Sequence, residues 1–80
     1  MLTEYIRAAM RHAQYEILED DKSFYGAIPD CEGVWANEAT LEACRTELES
    51  ALEDWILYRV SQNLSLPVID GLDLTIRKVV

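Results

Sequence analysis

Hydrophobic positions recur at three- and four-residue spacing in two stretches of this chain, and at two-residue spacing between them. Leu2, Tyr5, Ile6, Ala9, Met10 and Ala13 follow the helical period, which predicts a short amphipathic helix from Thr3 to about His12 with Thr3 as N-cap. Its polar side carries Glu4 and the pair Arg7 and Arg11, one turn apart. From Ala13 to Leu18 the pattern changes: Ala13, Tyr15 and Ile17 alternate with Gln14 and Glu16, as in a half-buried strand. After the acidic turn "EDDKS", Phe24, Gly26 and Ile28 share one face of a second strand and Tyr25 and Ala27 the other. Pro29 ends that strand because it has no amide hydrogen to give. "DCEG" turns the chain, with Gly33 supplying a positive φ, and "VWA" opens a third strand.

The strongest periodicity runs from Thr40 to about Asn63. Leu41, Cys44, Leu48, Ala51, Trp55 and Tyr58 form one stripe, Leu52, Ile56 and Val60 widen it, and no glycine or proline interrupts it. A long helix follows, with Thr40 as N-cap, Glu42 in a first turn where the helix dipole favours an anion, and Arg45 spaced to pair with Glu49. The stripe reads as core, so Trp55 is expected to be buried. "SLPVIDG" is extended and turns at Asp70-Gly71, after which Leu72, Leu74 and Ile76 alternate with Asp73, Thr75 and Arg77 as an edge strand would. The expected architecture is α+β, in the order helix, three-stranded antiparallel meander, long helix packed on the sheet, C-terminal edge strand (α-β-β-β-α-β), as one domain over residues 1–80.

Charge narrows the function. Fifteen acidic residues against seven basic ones give a formal net charge of −8. Such a surface repels phosphate backbones and attracts basic partners, so direct nucleic-acid binding by this chain alone is not expected. No apolar run approaches the ~20 residues of a membrane span, and Glu4, Arg7 and Arg11 interrupt the N-terminal stretch, so a cytoplasmic location is expected. An 80-residue chain buries only about 60 to 70% of its unfolded surface, for which oligomerisation is a natural remedy; a homo-oligomer, dimer or tetramer, is expected.

Candidate chemistry adds little. The cysteines, Cys31 and Cys44, are too few for a disulfide scaffold and read as reduced thiols. The sole histidine, His12, stands in no metal-ligand spacing, and neither Cys31 nor Asp30 has a histidine or lysine in its local sequence to act as a base. Glu38, Glu42, Glu47, Glu49, Glu53 and Asp54 cluster around the long helix, where a solvated face explains them better than a magnesium site. No catalytic residue, metal or cofactor is expected.

One combination of residues is more specific. The meander "YEILEDDKSFYGAIPDCEGVWA", with Tyr25, Ile28, Pro29, Asp30 and Gly33 in its second strand and turn, leads into "TLEACRTELESALEDWI", with Thr40, Leu41, Glu42 and Ala43 at the helix start and Trp55 further on, and then into "LPVIDG". From Tyr15 to Gly71 this resembles the HicB-like antitoxin family of type II toxin-antitoxin systems. The resemblance implies a double-stranded-RNA-binding-like or degraded ribonuclease-H-like fold lacking the nuclease's catalytic carboxylates. It also implies a partner, a small basic HicA-type toxin that cleaves messenger RNA and is masked by the antitoxin without catalysis. Many members carry a C-terminal DNA-binding motif, for which the nine residues after Gly71 are too few. The acidic turn Glu19, Asp20 and Asp21, with Glu38 and Glu42 at the helix start, is the expected partner surface, whereas Pro29, Gly33 and Trp35 are expected to serve the fold. The alternative is a homo-oligomeric structural or regulatory module with a different protein partner.

Overall fold

The computed structural model describes residues 1–74, in the order α1 (Leu2–Arg11), β1 (Gln14–Ile17), β2 (Phe24–Ala27), β3 (Trp35–Glu38) and α2 (Leu41–Ser61). The strands form an antiparallel sheet in the order β1-β2-β3, the meander that the two-residue alternation predicts. Helix α2 packs against β2 and β3, and α1 packs on α2.

Small residues set how closely helix and sheet approach. Gly26 and Ala36 are cross-strand partners under α2, and the Cys44 thiol reaches to within 3.6 Å of the Ala36 carbonyl oxygen. A Cβ on Gly26 would lie 2.9 Å from the Tyr15 ring and 3.2 Å from Cys44 Sγ. Tyr15 therefore lays its ring across the space a side chain would fill, while β1 itself extends past α2 and is exposed along its length. Around this close contact Cys44, Leu48, Leu52 and Ile56 form one row at four-residue spacing and are buried, with Ile28, Cys31 and Val34 beneath them. Each fully buried aliphatic side chain contributes about 1.5–3 kcal/mol.

The sequence stripe was broader than the packed face. Leu41 and Tyr58, placed on it by spacing, are 43% and 60% exposed. Trp55 lies at the rim rather than in the core: its indole N–H donates to the Glu32 carbonyl at 3.1 Å, and the Arg59 guanidinium sits 5.0 Å over its ring. Thr40 is the N-cap, its hydroxyl accepting from the Ala43 amide at 3.1 Å. At the other end Asn63 adopts φ 56°, the Asn63 amide donates to Val60 O and the Leu64 amide to Arg59 O. This is a Schellman-type stop built on asparagine instead of glycine.

The cap of helix α1 lies two residues earlier than its pattern suggests. Met1 occupies the cap position with no side-chain cap, so Thr3 lies inside the first turn; the terminal amino group sits 3.7 Å from Glu4 instead. Tyr5, Ala8 and Ala9 are fully buried, and the Tyr5 hydroxyl donates to the Pro67 carbonyl at 2.6 Å. Burial pushes its pKa up to about 12, so it remains a donor throughout the neutral range. The segment after α2 thus returns beneath α1, burying Ile69. There Asp70 and Gly71, at φ 50° and 75°, form a two-residue turn in which Ile69 and Leu72 exchange both backbone hydrogen bonds. The C-terminal strand expected after this turn falls largely on residues 75–80, which lie outside the described residues. Among the described residues no helix is long and apolar enough to cross a membrane.

Candidate interaction surface

The pairing register gathers the five acidic residues singled out by sequence at one end of the sheet. Ile17, Phe24 and Glu38 stand side by side across the strands, the turn carrying Glu19, Asp20 and Asp21 joins the first two, and Glu38 leads through Thr40 into Glu42 in the first turn of α2. All five are exposed. The turn is held by its own side chains: Asp21 Oδ1 accepts from the Ser23 amide at 3.0 Å and the Ser23 hydroxyl at 2.6 Å, and Asn37 Nδ2 donates to Ser23 Oγ at 2.8 Å. The Ser23 hydroxyl and then its amide hold the Asp21 carboxyl below its ordinary range. Asp21 is thus a structural member of this acidic end, and Glu19 and Asp20 are its free members within the turn.

The sheet face turned away from α2 carries the second feature. Gln14, Ala27 and Trp35 form one cross-strand row on it, and Glu16, Tyr25 and Asn37 the next. Among the described residues no element packs on this face. The Tyr25 and Trp35 rings stack there, 6.2 Å between centroids and 20° between planes, with Trp35 57% exposed. Trp35 therefore contributes little to the core, contrary to the structural role expected of it. Buried Val34 and Ala36 on either side force the residue between them to the opposite face.

A family profile described as UPF0150-like matches residues 4–67. The chain belongs to the UPF0150-like family. Among solved structures, the protein TTHA0281 from Thermus thermophilus is similar over 96% of this chain and 95% of its own, at 38% identity and a TM-score of 0.89. No curated protein gives a significant match.

The remaining motif residues of this UPF0150-like chain have structural settings. Ile28 is core, Gly33 takes φ 96° in the β2–β3 turn, and Asp30 meets His12. The sequence separation of 18 and 58 residues concealed a cluster here: His12 Nδ1 lies 3.0 Å from Asp30 Oδ1 and Nε2 lies 2.7 Å from Asp70 Oδ1, while Arg11 donates to Asp70 Oδ2 at 3.2 Å. Ionised carboxylates only accept, so satisfying both contacts requires the doubly protonated imidazolium. The Asp70 and Asp30 hydrogen bonds accordingly raise the His12 pKa, and His12 and Arg11 lower that of Asp70. This arrangement clasps α1, the β2–β3 turn and the Asp70-Gly71 turn together. It also directs both ring nitrogens at carboxylates and neither at Cys31, which is fully buried with its thiol pushed up to about 11 by desolvation. Imidazolium–thiolate catalysis has no geometry there.

The acidic surface is interrupted on the α1 side. Arg7, Arg11 and Arg45 line an open groove with Met10, Ala13, Tyr15 and Glu49. The expected Arg45–Glu49 ion pair does not form. Among the described residues no group of three or more histidine, cysteine or carboxylate side chains is arranged to hold a metal ion.

Proposed function

We propose that this chain is the antitoxin-like partner of a small basic HicA-type ribonuclease, which it binds and masks without chemistry of its own. The observation that carries this reading is the acidic end of the sheet, set in a chain of net charge −8 that belongs to the UPF0150-like family. Long-range attraction raises the association rate with a basic RNA-binding surface, and carboxylates seated on it occupy the positions that RNA phosphates would take. Inhibition is then steric and electrostatic.

Co-expression tests the proposal. With only this chain tagged and the adjacent reading frame of its genome expressed beside it, a stoichiometric small basic protein should elute with it, and ribonuclease activity should appear only once this chain is stripped away. A chain that elutes alone beside an unaffected neighbour removes the reading. The second reading, a homo-oligomeric module, draws on the apolar groove between the helices, where Leu2 and Leu57 are 47% and 68% exposed beside Ile6 and Ile56. A stable oligomer lacking any basic partner would favour it.

A further inference from the structure

We infer that the open sheet face, centred on the stacked Tyr25 and Trp35, is a binding site for arginine side chains of a basic protein partner. The inference rests on the proposed function for the kind of partner, and deepens it by naming a surface distinct from the acidic end.

Large aromatic residues exposed on a flat, rigid surface are the usual centres of protein recognition, because a ring offers much apolar area with few rotors to immobilise. Here rigidity comes from the strands beneath and from the stack itself. Ala27, small and beside Trp35 in the register, leaves the indole face uncrowded. A shallow hollow of about 210 Å³ lies on the β1–β2 side of the stack, lined by Gln14, Tyr15, Glu16, Tyr25 and Ala27.

Charge selects the occupant. Among the described residues the face presents one carboxylate, Glu16, two amides and two rings, and no cation. The Asn37 amide nitrogen is occupied, donating to Ser23 Oγ and Phe24 O, whereas the Gln14 amide and the Glu16 carboxylate are open to a guanidinium. A guanidinium stacked on Trp35 or Tyr25 gains the attraction of the ring's negative face and can fork onto the Glu16 carboxylate or the Gln14 amide oxygen. A lysine ammonium gains the charge term without planar stacking. The molecule already contains such a pair in the Arg59 guanidinium over Trp55. A second copy of this acidic chain is a poorer occupant, since each copy carries the same net charge of −8.

The test is a titration of the isotope-labelled full chain with an oligoarginine peptide and, separately, an oligolysine peptide of equal length at about 0.15 M salt, where exposed charges are largely screened beyond about 8 Å. The Trp35 indole and the amides of Gln14, Glu16, Tyr25 and Asn37 should shift together, with the arginine peptide bound more tightly. Trp35→Ala should weaken the arginine peptide by about tenfold or more, Trp35→Phe by only about threefold, and Val68→Ala, exposed on the segment after α2, not at all. Equal affinities for the two peptides, with shifts confined to residues 19–21, 38 and 42 and indifferent to Trp35→Ala, would overturn the inference. So would a Trp35 shift that follows the protein's own concentration, because a second copy would then cover the face. Arginine binding here with no basic protein co-purifying would defeat the proposed function and leave this site standing; co-purification indifferent to Trp35→Ala and Trp35→Phe would do the opposite.

Discussion

The two faces of the same sheet obey opposite rules. Facing α2, Gly26 and Ala36 are small and dry, and the helix descends until a cysteine thiol meets a backbone carbonyl. Facing away, one residue along each strand, Tyr25 and Trp35 are large, stacked and partly wet, with Glu16 and Gln14 beside them. Alternation sends adjacent residues into the two environments, so stability and recognition are written into the same short strands without competing for positions.

The sharpest way to break this contrast is from the covered face. Leu52→Ala should cost about 2–5 kcal/mol in a denaturant titration, because a fully buried side chain is lost and a cavity remains. Gly26→Ala should cost about 1–3 kcal/mol: the Tyr15 ring can swing outward from its exposed strand, but the buried Cys44 thiol cannot. Removing the α2 cap with Thr40→Ala should cost about 1 kcal/mol, since the Ala43 amide loses its acceptor. On the open face Trp35→Ala should change stability by no more than about 0.5 kcal/mol while weakening partner binding. A loss comparable to that of Leu52→Ala would show that Trp35 serves the fold after all.

The His12 clasp adds a pH dependence belonging to neither face. The raised His12 pKa means that its contribution is fully present below about 6.5 and is lost as pH rises through the higher folded-state value. The lowered Asp70 pKa means that its contribution is present above 3.8 and is lost as pH falls through the lower folded-state value. The clasp is therefore strongest in mildly acidic solution. In Asp70→Asn the His12 imidazole, followed by proton NMR, should titrate closer to its ordinary value.

The elements that speak through periodicity were legible in the sequence: the α2 row, the β1–β2–β3 alternation, the Thr40 cap and the Gly33 turn. Alternation also places Tyr25 and Ala27 opposite Gly26, but it does not say which face the helix covers, so it cannot show that Trp35 stands on the open one. The stripe over α2 likewise gave no information on where the sheet ends, hence the misplacement of Leu41, Tyr58 and Trp55. His12, Asp30 and Asp70 meet only through tertiary structure, and nothing in their spacing announces them. The acidic end was readable as local charge, and the strand register explains why its members lie together.

Inhibition of RNA cleavage tests the acidic mask most directly. The co-expressed basic protein is assayed for RNA cleavage while this chain, or a variant with Glu19, Asp20 and Glu38 reversed to lysine, Asp21→Asn and Glu42→Gln, is titrated in. The milder changes spare the Ser23 hydrogen bonds and the α2 N-terminus. The natural chain should inhibit stoichiometrically and the variant should not, with an unchanged unfolding midpoint. Equal inhibition by both would contradict the acidic mask, and cleavage unaffected by the natural chain would contradict the antitoxin reading itself.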